Sequence, residues 1–381
     1  MSEPVSRNAI LASPSVGQPG ELDRLNAILE DAGLGRPLGP PEQSTPAVAV
    51  VPVSGDPEEV VAALRRVVPE GDDVDVLHEY SVDTVDLDSR TRQILEPTEE
   101  FRAAGLKSGH GTVTWIPIEQ YEAPQQPPWP PHVSPAVVVL LDSGVRKHSW
   151  LPQTPDPSFF SVAEPDRSIY HLPVADPGLE DGKFGAYWGH ATFLAGLIRL
   201  KAPDAQVVSL RVMNNDGKLR SNDVVNALHW LHDEYIGQEN GVVDVVLMAF
   251  GRPQKPGEAG QRKIRQEISK LGSKGVKFVA SAGNDHSHTE TFPACLATEQ
   301  NSPVVSVGAG TSAADHEPYS NHGPWVCKWR SGTHVSLMPL TVEGQDANGF
   351  AVWRGTSFSA AIYAGELAQK RADERKASTG S

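Results

Sequence analysis

The fold class this 381-residue sequence predicts is α/β: a doubly wound parallel sheet with helices on both faces, preceded by a small acidic α+β unit. Three observations predict it. Aliphatic runs alternate with stretches of helical period through the C-terminal two thirds. Acidic residues concentrate in the first third, and six prolines between Tyr121 and Pro135 separate the two regions.

Val137-Val138-Val139-Leu140-Leu141 is unbroken and largely β-branched, as a strand buried on both faces requires. After it come a helix from His190, a strand at 207–212, a helix at 221–235, a strand at 243–250 and a helix at 258–272. Strands at 276–281 and 304–307 follow, then a helix after Ser357. Such alternation specifies parallel strands joined by helical crossovers.

The N-terminal third has shorter pieces. Met1 to about Gln18 shows little pattern, whereas Leu22, Leu25, Ile28 and Leu29 repeat at helical spacing and stop near Gly33. Pro37–Pro46 reads as a linker, Ala47–Val53 as a strand, Asp56–Val68 as a helix opened by Asp56-Pro57, and Val74–Leu77 as a second strand. A short helix at Thr98–Ala104 and a strand at Thr112–Ile116, ended by Pro117, complete it. The expected units are a flexible 1–46 with one short amphipathic helix, an acidic α+β domain at 47–122, and a stiff Pro-rich linker at 123–135. The α/β domain then occupies 136–372, and 373–381 is a tail.

Composition excludes several classes of function. A hydrophobic fraction of 39% with 21% charged residues is that of an ordinary globular protein. No run of eighteen apolar residues is present, so no membrane span is expected. Residues 1–134 hold 22 acidic and 9 basic side chains, a net −13 of the chain's −15. That balance lacks the basic footprint of a nucleic-acid binder. Cys295 and Cys327 imply no disulfide framework, and Met1–Pro19 lacks the basic and apolar regions of a leader, so the expected location is cytoplasmic.

The chemistry lies in three segments. Gly355-Thr356-Ser357-Phe358-Ser359-Ala360 puts a serine among small residues at the opening of the last helix, with the helix dipole behind its hydroxyl. The strand 137–141 ends in Asp142-Ser143-Gly144, a carboxylate at the sheet edge where open α/β folds place their sites. Gly189-His190-Ala191-Thr192 sets a histidine at a helix start. A serine hydroxyl needs a base such as His190, and the base needs a group such as Asp142 to hold its tautomer.

Together with Ser281-Ala282-Gly283-Asn284, these blocks resemble in order the signature blocks of the subtilisin (subtilase) family of serine proteases, over about Ala136 to Lys370. The family's chain order Asp, His, Ser is also kept. The resemblance implies a catalytic Asp142–His190–Ser357 triad, with Asn284 and the Ser357 N–H forming the oxyanion hole. It also implies a substrate groove edged by Ala249-Phe250-Gly251 and Ser281-Ala282-Gly283. Ala191 stands where the family has glycine, Ala249-Phe250-Gly251 where it has Ser-Leu-Gly, and Ala361 where it has proline; none of these removes a reacting group.

The expected activity is a serine endopeptidase acting on peptide or protein substrates without a cofactor. The alternatives are a peptide-ligating or macrocyclising transferase using the same acyl-enzyme, and an inactive binding module. The acidic unit is similar in size and element order to subtilase prosegments, which implies intramolecular inhibition; a docking domain for a partner is the other reading. Many secreted relatives interrupt the histidine helix with a calcium loop, but Ala202-Pro203-Asp204 leaves no room for one here. No metal is expected elsewhere: His286 and His288 lack a third ligand at recognised spacing and read as solvated. His229 and His232 read as surface or packing residues, and Glu180 and Asp181 as solvated charges. Trp188 reads either as flanking the groove or as buried beside the catalytic helix.

Overall fold

The computed structural model describes residues 8–67, 74–81, 114–116, 136–151, 160–162 and 187–379, except for gaps at 19, 149, 204, 215–216, 238–240, 255–260 and 343–344. The expected helix at Thr98–Ala104, the Pro-rich segment, Glu180, Asp181 and Asp204 lie outside the described residues.

The N-terminal unit begins earlier than the sequence suggests. Ala9–Ala12, in a stretch expected to be flexible, is a strand paired antiparallel with both Ala49–Pro52 and Asp75–Val76. Its four residues are all buried, so it lacks the alternation that marks a strand in sequence. Gln43–Ser44 adds a further strand, and Leu38 is buried, so the supposed linker belongs to the unit as well. Two helices cover the sheet, α1 (Glu21–Asp31) and α2 (Pro57–Leu64). Asp56 caps α2, accepting from the Glu58 N–H at 2.9 Å.

Alternate side chains of a strand face opposite ways. Ile10, Ala12, Ala49 and Val51 pack with Leu25, Leu29, Val60 and Leu64 of the two helices. Ala9, Leu11, Val48 and Val50 point the other way and join the core of the large domain.

That domain is built on seven strands, all parallel to their neighbours. Their spatial order is Lys328–Arg330, Val304–Ala309, Lys277–Ser281, Val245–Met248, Ala136–Asp142, Ala205–Arg211, Phe160–Val162. On one side of Ala136–Asp142 the chain sets Phe160–Val162 at the edge and then fills the gap with Ala205–Arg211, whereas from Val245–Met248 successive strands run outward on the other side. The topological switch point therefore lies between Ala136–Asp142 and Val245–Met248, and Asp142 stands at its C-terminal edge.

Around the sheet lie α3 (His190–Lys201), α4 (Ser221–Trp230), α5 (Arg262–Ser273) and α6 (Thr356–Thr379). Helix α6 lies against six of the seven strands and packs on α3, while α4 and α5 pair with each other. Ten of the twelve α3 residues are buried, so the helix is a core element with nearly no solvent face.

Several expected boundaries change. Helix α6 runs on to Thr379 through the supposed tail, because Ala364, Ala368 and Ala372 continue a buried stripe at four-residue spacing. Alanines four apart make too narrow an apolar signal to be read as amphipathic. Arg375 in this stretch pairs with Asp244 at 2.6 Å, and the other oxygen of Asp244 accepts the Val137 N–H at 2.8 Å. The strand expected within 112–116 is present at Thr114–Ile116, but it adds to Gln345–Arg354 of the large domain instead of to the N-terminal sheet. Gln345–Arg354 in turn pairs with Thr333–Val342 in a long hairpin the sequence reading did not anticipate. Among the described residues no helix is long and apolar enough to cross a membrane. Cys295 and Cys327 are both free thiols.

The N-terminal unit also completes the ends of two helices of the large domain. Asp75 accepts the Lys263 N–H in the first turn of α5 at 2.9 Å and pairs with Arg65 of its own unit. At the start of α4, Ser221 donates its N–H to the His78 carbonyl at 2.9 Å, and the Ser221 hydroxyl accepts the His78 N–H at 3.0 Å. Thr45 donates to Asn226 of α4 at 2.7 Å. Helix N-termini leave orphan donors, and here the docked unit satisfies them.

Two outcomes are expected. Asp75→Ala orphans a buried N–H at the unit interface and should cost about 1–3 kcal/mol in denaturant unfolding of the whole chain; an unchanged midpoint would remove Asp75 from the interface energetics. The second concerns Asp223 in the first turn of α4, whose carboxyl burial pushes up to about 6 against the opposing pull of Arg220. The folded chain then holds this proton more tightly than the unfolded one. Its stabilising contribution is complete below the ordinary carboxylate pKa of about 3.9 and is lost as pH rises through about 6. Asp223→Asn should flatten the loss of stability between about pH 4 and pH 6, as measured by guanidinium unfolding at each pH.

Candidate active site

Three loops leaving the C-terminal edge of the sheet meet the N-termini of α3 and α6. Asp142 ends the strand Ala136–Asp142 and is buried with 1% exposure. Its carboxylate accepts from the Ser143 N–H at 2.8 Å and the Ser143 hydroxyl at 3.1 Å. Both oxygens also lie 3.0 Å from Nδ1 of His190. A carboxylate can only accept, so Nδ1 carries the proton and Nε2 presents a lone pair.

His190 is the first residue of α3, and the chain enters through Gly189 at φ 85°. A Cβ at Gly189 would sit 2.7 Å from the Met338 sulfur and 2.9 Å from Pro339, so both the backbone conformation and the space require glycine. The imidazole is walled by aromatic rings. Trp353 and Tyr187 meet it edge to face with centroids at 5.6 and 5.8 Å, and Phe358 lies at 5.6 Å. Trp188, left between two readings by the sequence, is buried with the Arg146 guanidinium 5.1 Å over its ring.

Ser357 sits in the first turn of α6 and is 3% exposed. Its hydroxyl donates to the carbonyl of Ala249 at 3.3 Å. Ala249-Phe250-Gly251 continues from Val245–Met248, and Ala282-Gly283 continues from Lys277–Ser281. These are adjacent parallel strands, with Met248 beside Ala280, so the two segments emerge side by side next to Ser357. The Ala249 and Phe250 side chains are buried, which leaves the backbone as the chemical face of that segment.

Asn284 is joined to the same turn through Thr356, a residue sequence reading passed over. The Gly283 N–H donates to Thr356 Oγ1 at 3.0 Å, and Thr356 Oγ1 donates on to Asn284 Oδ1, also at 3.0 Å. The Thr356 N–H adds a 2.9 Å bond to the same oxygen. With Oδ1 held by two donors, the Nδ2 end of the amide is set by elimination. A Cβ on Gly355, whose φ is 155°, would lie 3.5 Å from that nitrogen. Asn321 fixes the loop from below: its Nδ2 donates to the Ala282 carbonyl at 3.0 Å, and its N–H donates to the Gly283 carbonyl at 2.9 Å. The signal for Thr356 was its place inside the Gly355–Ala360 block. Tyr187, Trp353 and Asn321 carried no signal, since only tertiary packing brings them here.

The structure thus brings Asp142 and His190 into direct contact and ties Asn284, Gly283 and Ala249 to the turn that bears Ser357. Helix α3 is continuous to Lys201 and the next strand opens at Ala205.

This arrangement agrees with sequence comparison. The family model for the Subtilase family matches residues 134–379, and the chain belongs to that family. Subtilisin-like protease 1 of Arthroderma otae is 26% identical over 192 residues, 49% of this chain and 36% of that protein. Subtilisin DY of Bacillus licheniformis is 26% identical over 194 residues, 47% of this chain and 62% of that one. Subtilisin BL of Lederbergia lenta is 23% identical over 240 residues, 61% of this chain and 74% of that one. The chain therefore spans about a third of the fungal relative and about three fifths of Subtilisin DY. Among solved structures, a cold-adapted subtilisin-like serine proteinase matches with TM-score 0.46 and 21% identity over 63% of this chain and 76% of that one.

Proposed function

We propose that the chain is a serine endopeptidase in which Ser357 is the nucleophile, His190 the base and Asp142 its orienting partner. The observation that carries this reading is the paired contact of His190 Nδ1 with both Asp142 oxygens at 3.0 Å, on a buried carboxylate beside the α6 N-terminus. It fixes the tautomer that leaves Nε2 free to accept a proton.

The reaction begins when the Ser357 hydroxyl turns from the Ala249 carbonyl to Nε2 of His190. The base takes the proton as Oγ attacks the substrate carbonyl, and Asp142 stabilises the imidazolium formed. The resulting oxyanion receives hydrogen bonds from Asn284 Nδ2 and the Ser357 N–H at the positive end of the helix dipole. His190 then returns the proton to the leaving amine, and water resolves the acyl-enzyme by the same steps. Backbone groups of Ala249–Gly251 bind the substrate chain by strand addition, and Ser281–Gly283 line the groove beside them.

The N-terminal unit acts on this site as an intramolecular inhibitor. Its support is the docking on α4 and α5 and the pairing of Glu79–Ser81 with Lys218–Arg220. An acidic module that satisfies the helix ends of the large domain is held in place without a covalent staple.

Ser357→Ala should abolish both peptide cleavage and labelling by a fluorophosphonate, while labelling at the wild-type rate would place the nucleophile elsewhere. Asn284→Ala should lower kcat by about 10²–10³, the known cost of removing such a donor from a subtilisin, with KM little changed. The mass of the product, one water heavier in total for hydrolysis, separates this activity from acyl transfer. For the N-terminal unit, Asp75→Ala should raise peptidase activity several-fold by loosening its docking. Activity that stays level while docking weakens would make the unit a partner-binding domain instead.

A further inference from the structure

Outside the catalytic residues, one cluster of side chains stands out. His286 and His288 follow Asn284 on its loop, and their isolated spacing in sequence gave no third ligand. The fold supplies two from a loop some thirty residues downstream. Imidazole nitrogens of His286, His316 and His322, one from each ring, lie within 4.8 Å of one another. The rings of His316 and His322 are stacked with centroids at 4.1 Å, His286 lies 5.1 Å from His322, and His288 lies 4.0 Å from His322.

We propose that His286, His316 and His322 form a three-imidazole site for a divalent transition-metal ion, zinc in the first instance, which ties the loop after Asn284 to the loop 316–322. Three features of the chemistry support it.

The first is tautomer. His316 Nδ1 faces the Glu317 carbonyl at 3.1 Å and His322 Nδ1 faces the Ser320 carbonyl at 3.2 Å. A carbonyl only accepts, so each Nδ1 carries the proton and each Nε2 has its lone pair available. A backbone carbonyl on the second ring nitrogen is the usual support of a metal-bound histidine.

The second is preorganisation. Asn321, on the loop 316–322, reaches across to accept the Asp285 and Ser287 N–H groups at 2.9 and 3.0 Å. The His286 N–H donates to the Tyr319 carbonyl at 2.9 Å, and the His322 N–H donates to the Ser287 carbonyl at 2.9 Å. The backbones that carry the rings are therefore cross-linked before any ion arrives. Zinc–nitrogen bonds of about 2.0–2.1 Å place tetrahedral ligands about 3.3 Å apart, so small side-chain rotations close the shell. His286 is exposed and the other two are half-buried, which leaves room for those rotations and a path for the ion.

The third is donor type. An all-imidazole set suits zinc, cobalt, nickel or copper and offers nothing to calcium or magnesium, which take oxygen ligands. His288 or a water fills the fourth position.

The test uses the full-length protein without an affinity tag, stripped of metal and titrated with zinc chloride against a chromophoric chelator. One zinc per chain is expected, with a rise in melting temperature of about 5 °C or more at saturating metal. Cobalt in place of zinc should give the visible absorption of a four- or five-coordinate ion. His316→Ala and, at the exposed position, His286→Ala should each weaken binding by at least the 10–100-fold that loss of a supporting contact costs elsewhere. His232→Ala, on a different surface, should leave it unchanged. The proposal is overturned if the wild type binds no zinc below about 100 μM, or if it binds zinc equally well after both the His286 and His316 substitutions.

Discussion

Burial of the Asp142 carboxylate is the constraint on which the site depends. A charge at the end of an apolar strand, withdrawn from water, is costly unless its surroundings satisfy it. Ser143 supplies two donors and His190 faces both oxygens. The carbonyl of Asp142 accepts in addition from Val212 and Met213, which follow the neighbouring strand. Satisfying the carboxylate thus fixes the start of α3 and the turn after the strand, while the backbone carbonyl of the same residue fixes the exit of the neighbouring strand. The imidazole is thereby held through Nδ1, with its ring 5.6 Å from that of Phe358 in α6.

A second dependence joins the two units of the chain. The N-terminal sheet cannot bury both faces by itself: α1 and α2 cover one, and the large domain covers the other. The large domain in turn has two helices whose first turns are completed by Asp75 and His78 from the smaller unit. Each partner finishes what the other leaves open. Most of the chain's negative charge lies in the smaller unit, and one of its carboxylates, Asp75, meets the positive end of α5.

Legibility in sequence followed the range of the interactions. The strand 136–142 and the helix at His190 were readable because their signals are local: a doubly buried strand is apolar throughout, and a buried helix needs small residues and a glycine entrance. The blocks around Asp142, His190, Asn284 and Ser357 were readable because backbone geometry demands particular residues in order. Ala9–Ala12 was not, since four apolar residues acquire a partner only through strands forty and sixty residues away. The final turns of α6 were missed because alanine packs as closely as leucine yet hardly registers as hydrophobic. The histidine cluster shows the same limit from another side: the pair at 286 and 288 is visible along the chain, whereas the rings that complete it arrive only through folding.

The placement of Thr114–Ile116 bears on how the molecule would respond to being cut. The strand Glu79–Ser81 is hydrogen-bonded to Lys218–Arg220, and Thr114–Ile116 is hydrogen-bonded to Gln345–Arg354, so both borders of the segment 82–113 are anchored on the large domain. A single nick between residues 82 and 113 would break one covalent bond and leave all of those pairings in place. The two fragments would migrate as one particle in native gel filtration and come apart only in denaturant, so electrophoretic integrity and quaternary integrity would report different things about the same sample.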